Sequence, residues 1–161
     1  MKHSQLSTKP AAPQPFDRHQ SPGHVINYLA RLFAKALYRR IATYGVNPGQ
    51  FPVLLMLWER EGVTQTELAD RLAVEQPTMA GTLKRLERDD LITRVPDAND
   101  RRQARVHLTR RGRELQGALT TSARETNAVA LQGLTARHTA QLLSLAKRMI
   151  ANLEQDSPTR L

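Results

Sequence analysis

The chain contains no cysteine. Disulfides are excluded, and so is any switch that works by thiol oxidation. Aromatic residues are scarce, at 4% of 161 positions, so a core must be built mainly from aliphatic side chains. Acidic residues are in the minority: 15 Asp and Glu against 24 Lys and Arg leave a formal charge of +9. That excess suits a polyanionic partner, either nucleic acid or an anionic membrane surface. No apolar run approaches the roughly 18 residues of a membrane span, and the opening MKHSQLSTKP lacks the apolar core of a secretory signal. A cytoplasmic protein is expected. Catalytic signatures are missing too: there is no Gly-rich phosphate loop, no G-x-S-x-G elbow and no H-E-x-x-H helix. His3, His19, His24, His107 and His138 are scattered, with no pair at the i, i+4 spacing of a helical zinc site. The expectation is a non-enzyme without cofactor or metal.

What is present is concentrated in residues 64–109. Thr64 and Glu67 have the spacing of a capping box, in which the hydroxyl accepts from the N–H of residue 67 and the carboxylate reaches back to that of residue 64. Leu68, Ala69 and Leu72 then recur on one helical face. Ala73 and Val74 make a short connection, and a second helix begins near Gln76 with Pro77 in its first turn, where a missing N–H costs nothing. Met79, Leu83 and Leu86 form an apolar stripe along that helix. Thr78, Gly81, Thr82, Lys84, Arg85 and Arg88 are expected to face outward. Two short helices joined by a tight turn, the second basic outside, form a helix-turn-helix pattern. Gly81 weakens a helix interior by roughly 1 kcal/mol relative to alanine, but a position without a side chain admits another surface closely. By itself the pattern also fits an amphipathic helix with a solvated basic face.

The continuation is more specific. LITRVP and ARVHL read as short strands rich in β-branched residues. Between them runs a polar loop, residues 97–103, that begins with turn formers. A hairpin directly after a helix-turn-helix is a wing. Its tip carries Arg101 and Arg102, suited to a minor groove or to phosphates, with Asp100 available to orient one guanidinium. Arg94 and Arg105 on the strands would lie near the flanking phosphate backbone, and Gln76 at the helix start can reach bases or phosphate.

The stretch DRRQARVHLT matches the Asp-x-Arg…Leu-Thr wing signature of the MarR (multiple antibiotic resistance regulator) family, and GVTQTELADRLAVEQPTMAGTLKRLERDDLI is similar to that family's two-helix reading head. With the flanking helices, the resemblance covers roughly residues 25–153. It implies a dimeric winged helix-turn-helix regulator of transcription, repression by default, and control by small molecules, often phenols or aromatic acids.

The remaining chain supplies the frame, and at this length a single domain with a core is expected. Residues 1–22 are rich in proline, serine and glutamine and read as a flexible arm. A single domain is expected over residues 23–161, with dimerisation helices at 23–45 and 110–155 and the winged helix-turn-helix part at 48–109. The architecture expected is mainly α, with six helices and a two- to three-stranded wing. Apolar residues of the terminal helices (among them Leu29, Leu32, Leu142, Leu145 and Ile150) exceed what one neighbour can cover. A twofold homodimer covers them and places two reading heads on a palindromic duplex; an intrachain bundle is the alternative. His24, Tyr28 and Arg31 share one face of the first helix. With Phe51 and Trp58 as walls, they are candidates to hold an aromatic carboxylate, although dimer packing explains the same face. The alternatives to a ligand-controlled repressor are a ligand-independent winged-helix DNA binder and a protein-interaction module.

Overall fold

Thr64 begins the most locally determined part of the chain. Its hydroxyl accepts from the Glu67 N–H at 3.2 Å, and the Glu67 carboxylate accepts from the Thr64 N–H at 2.7 Å. The expected capping box is complete, and it starts α3 (Gln65–Arg71). The computed structural model describes residues 16–98, 100 and 102–156. The elements before α3 are α1 (Pro22–Ile41), α2 (Phe51–Glu59) and β1 (Val63–Thr64). After it come α4 (Gln76–Arg88), β2 (Ile92–Pro96), β3 (Ala104–Leu108), α5 (Arg110–Glu114), α6 (Gln116–Ala130) and α7 (Ala136–Asp156). The chain divides into two compact units, Met1–Leu32 and Phe33–Leu161.

In the second unit the core gathers around α2, α3 and α4. Leu54, Leu57, Leu68, Met79, Leu83 and Leu86 are all at most 1% exposed, and Val106 and Leu108 seal it from the sheet. The aliphatic character follows from the small aromatic supply. Phe51 and Trp58, nearly two turns apart on α2, meet edge to face with centroids 6.1 Å apart, and the indole Nε1 donates to the Gly112 carbonyl at 3.0 Å.

The sheet has the order β1-β3-β2 and is antiparallel throughout. Ile92 pairs with Leu108 and Pro96 with Ala104, so the hairpin is in register along its length. Val63 pairs with Val106, which fastens the wing to the start of the reading head. Pro96 sits at the outer strand's end, where a missing donor is tolerated.

Two details depart from the expected outline. The helix expected from Thr109 onward is interrupted at Leu115, so α5 and α6 replace one long helix, and seven α-helices appear among the described residues. The helix expected over residues 48–61, ahead of the reading head, starts at Phe51 rather than Pro48, because Gln50 bonds back across the turn: its Oε1 accepts from the Asn47 N–H at 3.0 Å. The arm expected at residues 1–22 lies largely outside the described residues.

Ala73 ends α3 with φ at 50°, in the left-handed region. The Val74 N–H reaches the Ala69 carbonyl across it at 3.0 Å, closing the helix end. An L-residue there costs roughly 1–2 kcal/mol, whereas glycine costs about 0.4–1 kcal/mol more chain entropy in the unfolded state. The strain outweighs the entropy. Ala73→Gly is therefore expected to raise stability by about 0.5 kcal/mol, read as a higher urea midpoint with unchanged slope. A lower midpoint would count against the strain argument.

Candidate nucleic-acid interface

The second reading-head helix, α4, separates its faces as its periodicity predicts. Met79, Leu83 and Leu86 are buried, whereas Thr78, Lys84, Arg85 and Arg88 are exposed. One expectation is corrected. Thr82 does not face outward: it is 6% exposed, donates its hydroxyl to the Thr78 carbonyl at 3.0 Å, and accepts from the Arg85 guanidinium at 3.0 Å. Positions 79, 82, 83 and 86 fall on one stripe, and a threonine there is satisfied by bonding one turn back. Thr82 thus steers Arg85 from beneath. Gly81 is part-buried, and a Cβ added there would meet nothing closer than the Arg85 Nη1 at 3.6 Å. Nothing among the described residues requires this glycine.

The start of α4 is tied to α3 by an amide pair. Gln65 Nε2 donates to Gln76 Oε1 at 3.1 Å, which orients the Gln76 amide at the helix start. At the far end, α4 is joined to the wing: Arg94 on β2 donates twice to the Glu87 carboxylate, at 2.7 and 3.2 Å.

The wing loop is closed from within by Asp97, 5% exposed. Its Oδ1 accepts from the Asp100 N–H at 3.1 Å, and its Oδ2 is ion-paired with Arg105. Arg105 also donates to the Gly62 carbonyl at 2.7 Å. The guanidinium expected beside the flanking DNA backbone is thus occupied as a brace between β3 and the Gly62 turn. Asp100 accepts from the Arg102 backbone N–H at 3.0 Å and from its Nε at 3.1 Å. Those two bonds, led by the guanidinium, hold the Asp100 carboxyl below its ordinary range. Arg102 itself is 92% exposed at the side chain, so it is oriented yet accessible. Arg101 lies outside the described residues. Between the wing and the start of α3 runs a polar cleft of about 290 Å³, lined by Thr64, Gln65, Thr66, Arg94, Arg102 and Gln103.

A different hollow, of about 450 Å³, is mostly apolar. Phe33, Leu37, Phe51 and Leu55 wall it, and Arg124 and Asn127 on α6 bring polar groups to it. The residues expected to share a ligand site are distributed as follows. Phe51 lines this hollow, and Trp58 packs against Phe51 with its N–H committed to Gly112. His24 and Tyr28 line a separate hollow in the first unit with Arg18 and His19. Arg31 is exposed and lines neither. Arg124 escaped sequence reasoning because it is far from Phe51 along the chain and belongs to no local motif.

A basic helix presented by a second helix, continuous with a braced hairpin, defines a winged helix-turn-helix DNA-binding protein. Residues 46–104 match the MarR family. The HTH-type transcriptional regulator TtmR of Methylorubrum extorquens is 37% identical over 90 residues, 56% of this chain, which spans only 46% of that protein's length. The HTH-type transcriptional repressor NicR of Pseudomonas putida is 28% identical over 144 residues, covering 89% of this chain and 91% of that one. A MarR-type protein from Listeria monocytogenes, solved in complex with a 26mer DNA, superposes with a TM-score of 0.78 at 25% identity, covering 85% of this chain and 91% of the other. Residues 46–104 thus carry the MarR-type match, and over most of its length the chain is similar to transcriptional regulators. Among the described residues no helix is long and apolar enough to cross a membrane.

Proposed function

We propose that this protein is a homodimeric, sequence-specific repressor that binds a palindromic operator in the cytoplasm and releases it when a small aromatic acid binds. The observation that carries the DNA reading is α4 itself. Its stripe of Met79, Leu83 and Leu86 is fully buried, which leaves Thr78, Lys84 and Arg85 together on the free side. That face enters the major groove, with Gln76 at its leading end reaching bases or phosphate. Arg101 and Arg102 hold the wing against the minor groove, and Arg94 borders the cleft in which a backbone phosphate is seated.

Dimerisation is supported by α7, which has no buried residue. Leu142, Leu145, Ile150 and Leu153 on it are 47%, 52%, 54% and 65% exposed. At roughly 25 cal/mol per Å² of apolar surface, leaving such a stripe in water is costly, and a second copy covers it. In the first unit, Val25, Tyr28, Leu29 and Leu32 are exposed in the same way. Repression agrees with the name of the Pseudomonas putida relative, a transcriptional repressor. The effector reading is supported by the apolar hollow, where Arg124 supplies a cation for a carboxylate and Phe51 a ring for stacking. Effector binding changes the separation of the two heads, and a few ångströms of misfit releases one half-site.

The test is a gel-shift titration at fixed salt, on duplexes selected from a random pool by the protein and on shuffled controls, with and without a panel of aromatic acids. Selection of a palindrome, tight binding that survives competitor, and release by one compound are expected. Binding that no compound releases would remove the effector reading and leave a ligand-independent regulator. Equal affinity for selected and shuffled DNA would remove the operator. Repeated over a salt series, affinity that is insensitive to salt would point instead to a protein partner, because phosphate neutralisation releases counterions.

A further inference from the structure

The C-terminal end of α4 is held from behind by a side chain that makes no part of the DNA-facing surface. Gln50, at the start of α2, is completely buried. A buried amide must find partners for both its oxygen and its nitrogen. Its oxygen is satisfied locally by the Asn47 N–H. Its Nε2 instead crosses to the reading head and donates to Asp89 Oδ2 at 2.8 Å.

Asp89 caps the end of α4. A carboxylate at a helix C-terminus faces the negative end of the dipole, so its position there depends on donors. Arg88 Nε supplies one to Oδ1 at 2.9 Å, from a side chain that is 70% exposed. Gln50 supplies the other from the interior. The carboxyl is held below its usual range by Arg88 first, then by Gln50. Arg111 adds a clamp on the backbone, donating to the Asp89 carbonyl at 2.9 Å and to the Tyr44 carbonyl at 3.3 Å.

The geometry of a helix makes this end matter. At 1.5 Å per residue, α4 is a lever of roughly 20 Å, and a tilt of about 3° at Asp89 moves its leading turn by about 1 Å. Hydrogen bonds to base edges tolerate less than that before they weaken, whereas contacts to phosphates by long side chains tolerate more.

We propose that Gln50 is a positioning residue for sequence recognition: by bonding Asp89 it sets the tilt of α4, and so determines specificity from a site that DNA never touches. The inference rests on the DNA-binding reading of α4. It predicts a loss confined to the cognate duplex.

The experiment compares wild type, Gln50→Met, Gln50→Glu and the double variant Gln50→Glu/Asp89→Asn. Each is titrated on a duplex selected by the wild type and on its shuffled counterpart, over a salt series. Gln50→Met keeps the volume and removes the bond, and about a tenfold loss on the selected duplex is expected, the order of one hydrogen bond to a charged group. Affinity for the shuffled duplex and its salt slope should stay at the wild-type value. Gln50→Glu sets two carboxylates face to face and should lose more, and Asp89→Asn in the same chain should recover most of it by letting the amide donate in the opposite direction. Equal losses on both duplexes, or a double variant no better than Gln50→Glu, would overturn the proposal. If Gln50→Glu does not fold, Gln50→Met decides: an unchanged ratio between the duplexes rejects the role. A wild type that selects no duplex fails differently, because it removes the DNA reading itself.

Discussion

Alanine at position 112 is expected to destabilise the protein by about 2 kcal/mol, even though alanine is the better helix former. Gly112 lies in α5, where propensity alone promises a gain of roughly 1 kcal/mol from the substitution. The surroundings decide otherwise. A Cβ there would stand 2.2 Å from the Leu91 carbonyl oxygen and 3.2 Å from Leu108 Cδ2. The nearer atom is backbone, and it is not free to move: the same oxygen accepts the Thr109 N–H at 3.0 Å. Thr109 is itself committed, capping α5 through the Gly112 N–H at 3.0 Å and donating its hydroxyl to the Asp90 carbonyl at 2.7 Å. The Gly112 carbonyl in turn holds Trp58. Relief of the clash must displace α5, the turn after α4, or both. Overpacking of this kind costs roughly 1–3 kcal/mol and occasionally more, and contact with backbone places it at the upper end. In a domain of this size the melting temperature should fall by roughly 4–8 °C. The single tryptophan provides the fluorescence readout at the point of damage. A melting temperature equal to or above that of the wild type would show that helix propensity outweighs the contact.

Replacing both Arg101 and Arg102 with alanine is expected to weaken operator binding by roughly 2–4 kcal/mol, on the basis of about 1–3 kcal/mol for each good contact. Arg102 is exposed, and Asp100 fixes its direction by accepting from Nε and Nη2 of its guanidinium; Arg101 enters from the sequence pattern alone. The wing that carries them is anchored elsewhere, through Asp97, Arg105 and the Gly62 carbonyl. The double variant should therefore keep its fold and its melting temperature while the salt slope of binding decreases by about one for each lost phosphate contact. Fluorescence anisotropy on the selected duplex at several salt concentrations separates these outcomes. Unchanged affinity would refute the wing's role; a parallel loss of thermal stability would make Arg102 a structural residue.

The parts of the fold that were legible in the sequence are those whose causes are local. The capping box needs only a threonine and a glutamate three residues apart, and it forms as expected. The apolar stripe of α4 needs only helical period, and the hairpin needs two β-branched runs with turn formers between them; β2 and β3 fall within a residue of their expected ends. The interruption at Leu115 and the late start of α2 are small departures at element ends, where local signals are weakest.

Residue type misled in one place. Thr82 occupies a stripe position by spacing, but its hydroxyl argued for the outside; spacing prevailed because the Thr78 carbonyl satisfies the hydroxyl within the helix. Charge alone also leaves a role unseen. Arg105 looks like any wing cation until its partners are known: it pairs with Asp97 and donates to the Gly62 carbonyl.

By itself, then, the sequence determined the resemblance to MarR-type reading heads, the order of elements, the basic helix and the basic wing, since each depends on neighbours a few positions apart. Tertiary structure alone decided which groups the described cations pair with, that Gly112 must lack a side chain, that Arg124 and Phe51 line one hollow, and that Gln50 holds the end of α4. The last three join residues separated by 21 to 73 positions. Whether two such groups meet depends on how the helices and the sheet stack, and no local period encodes that.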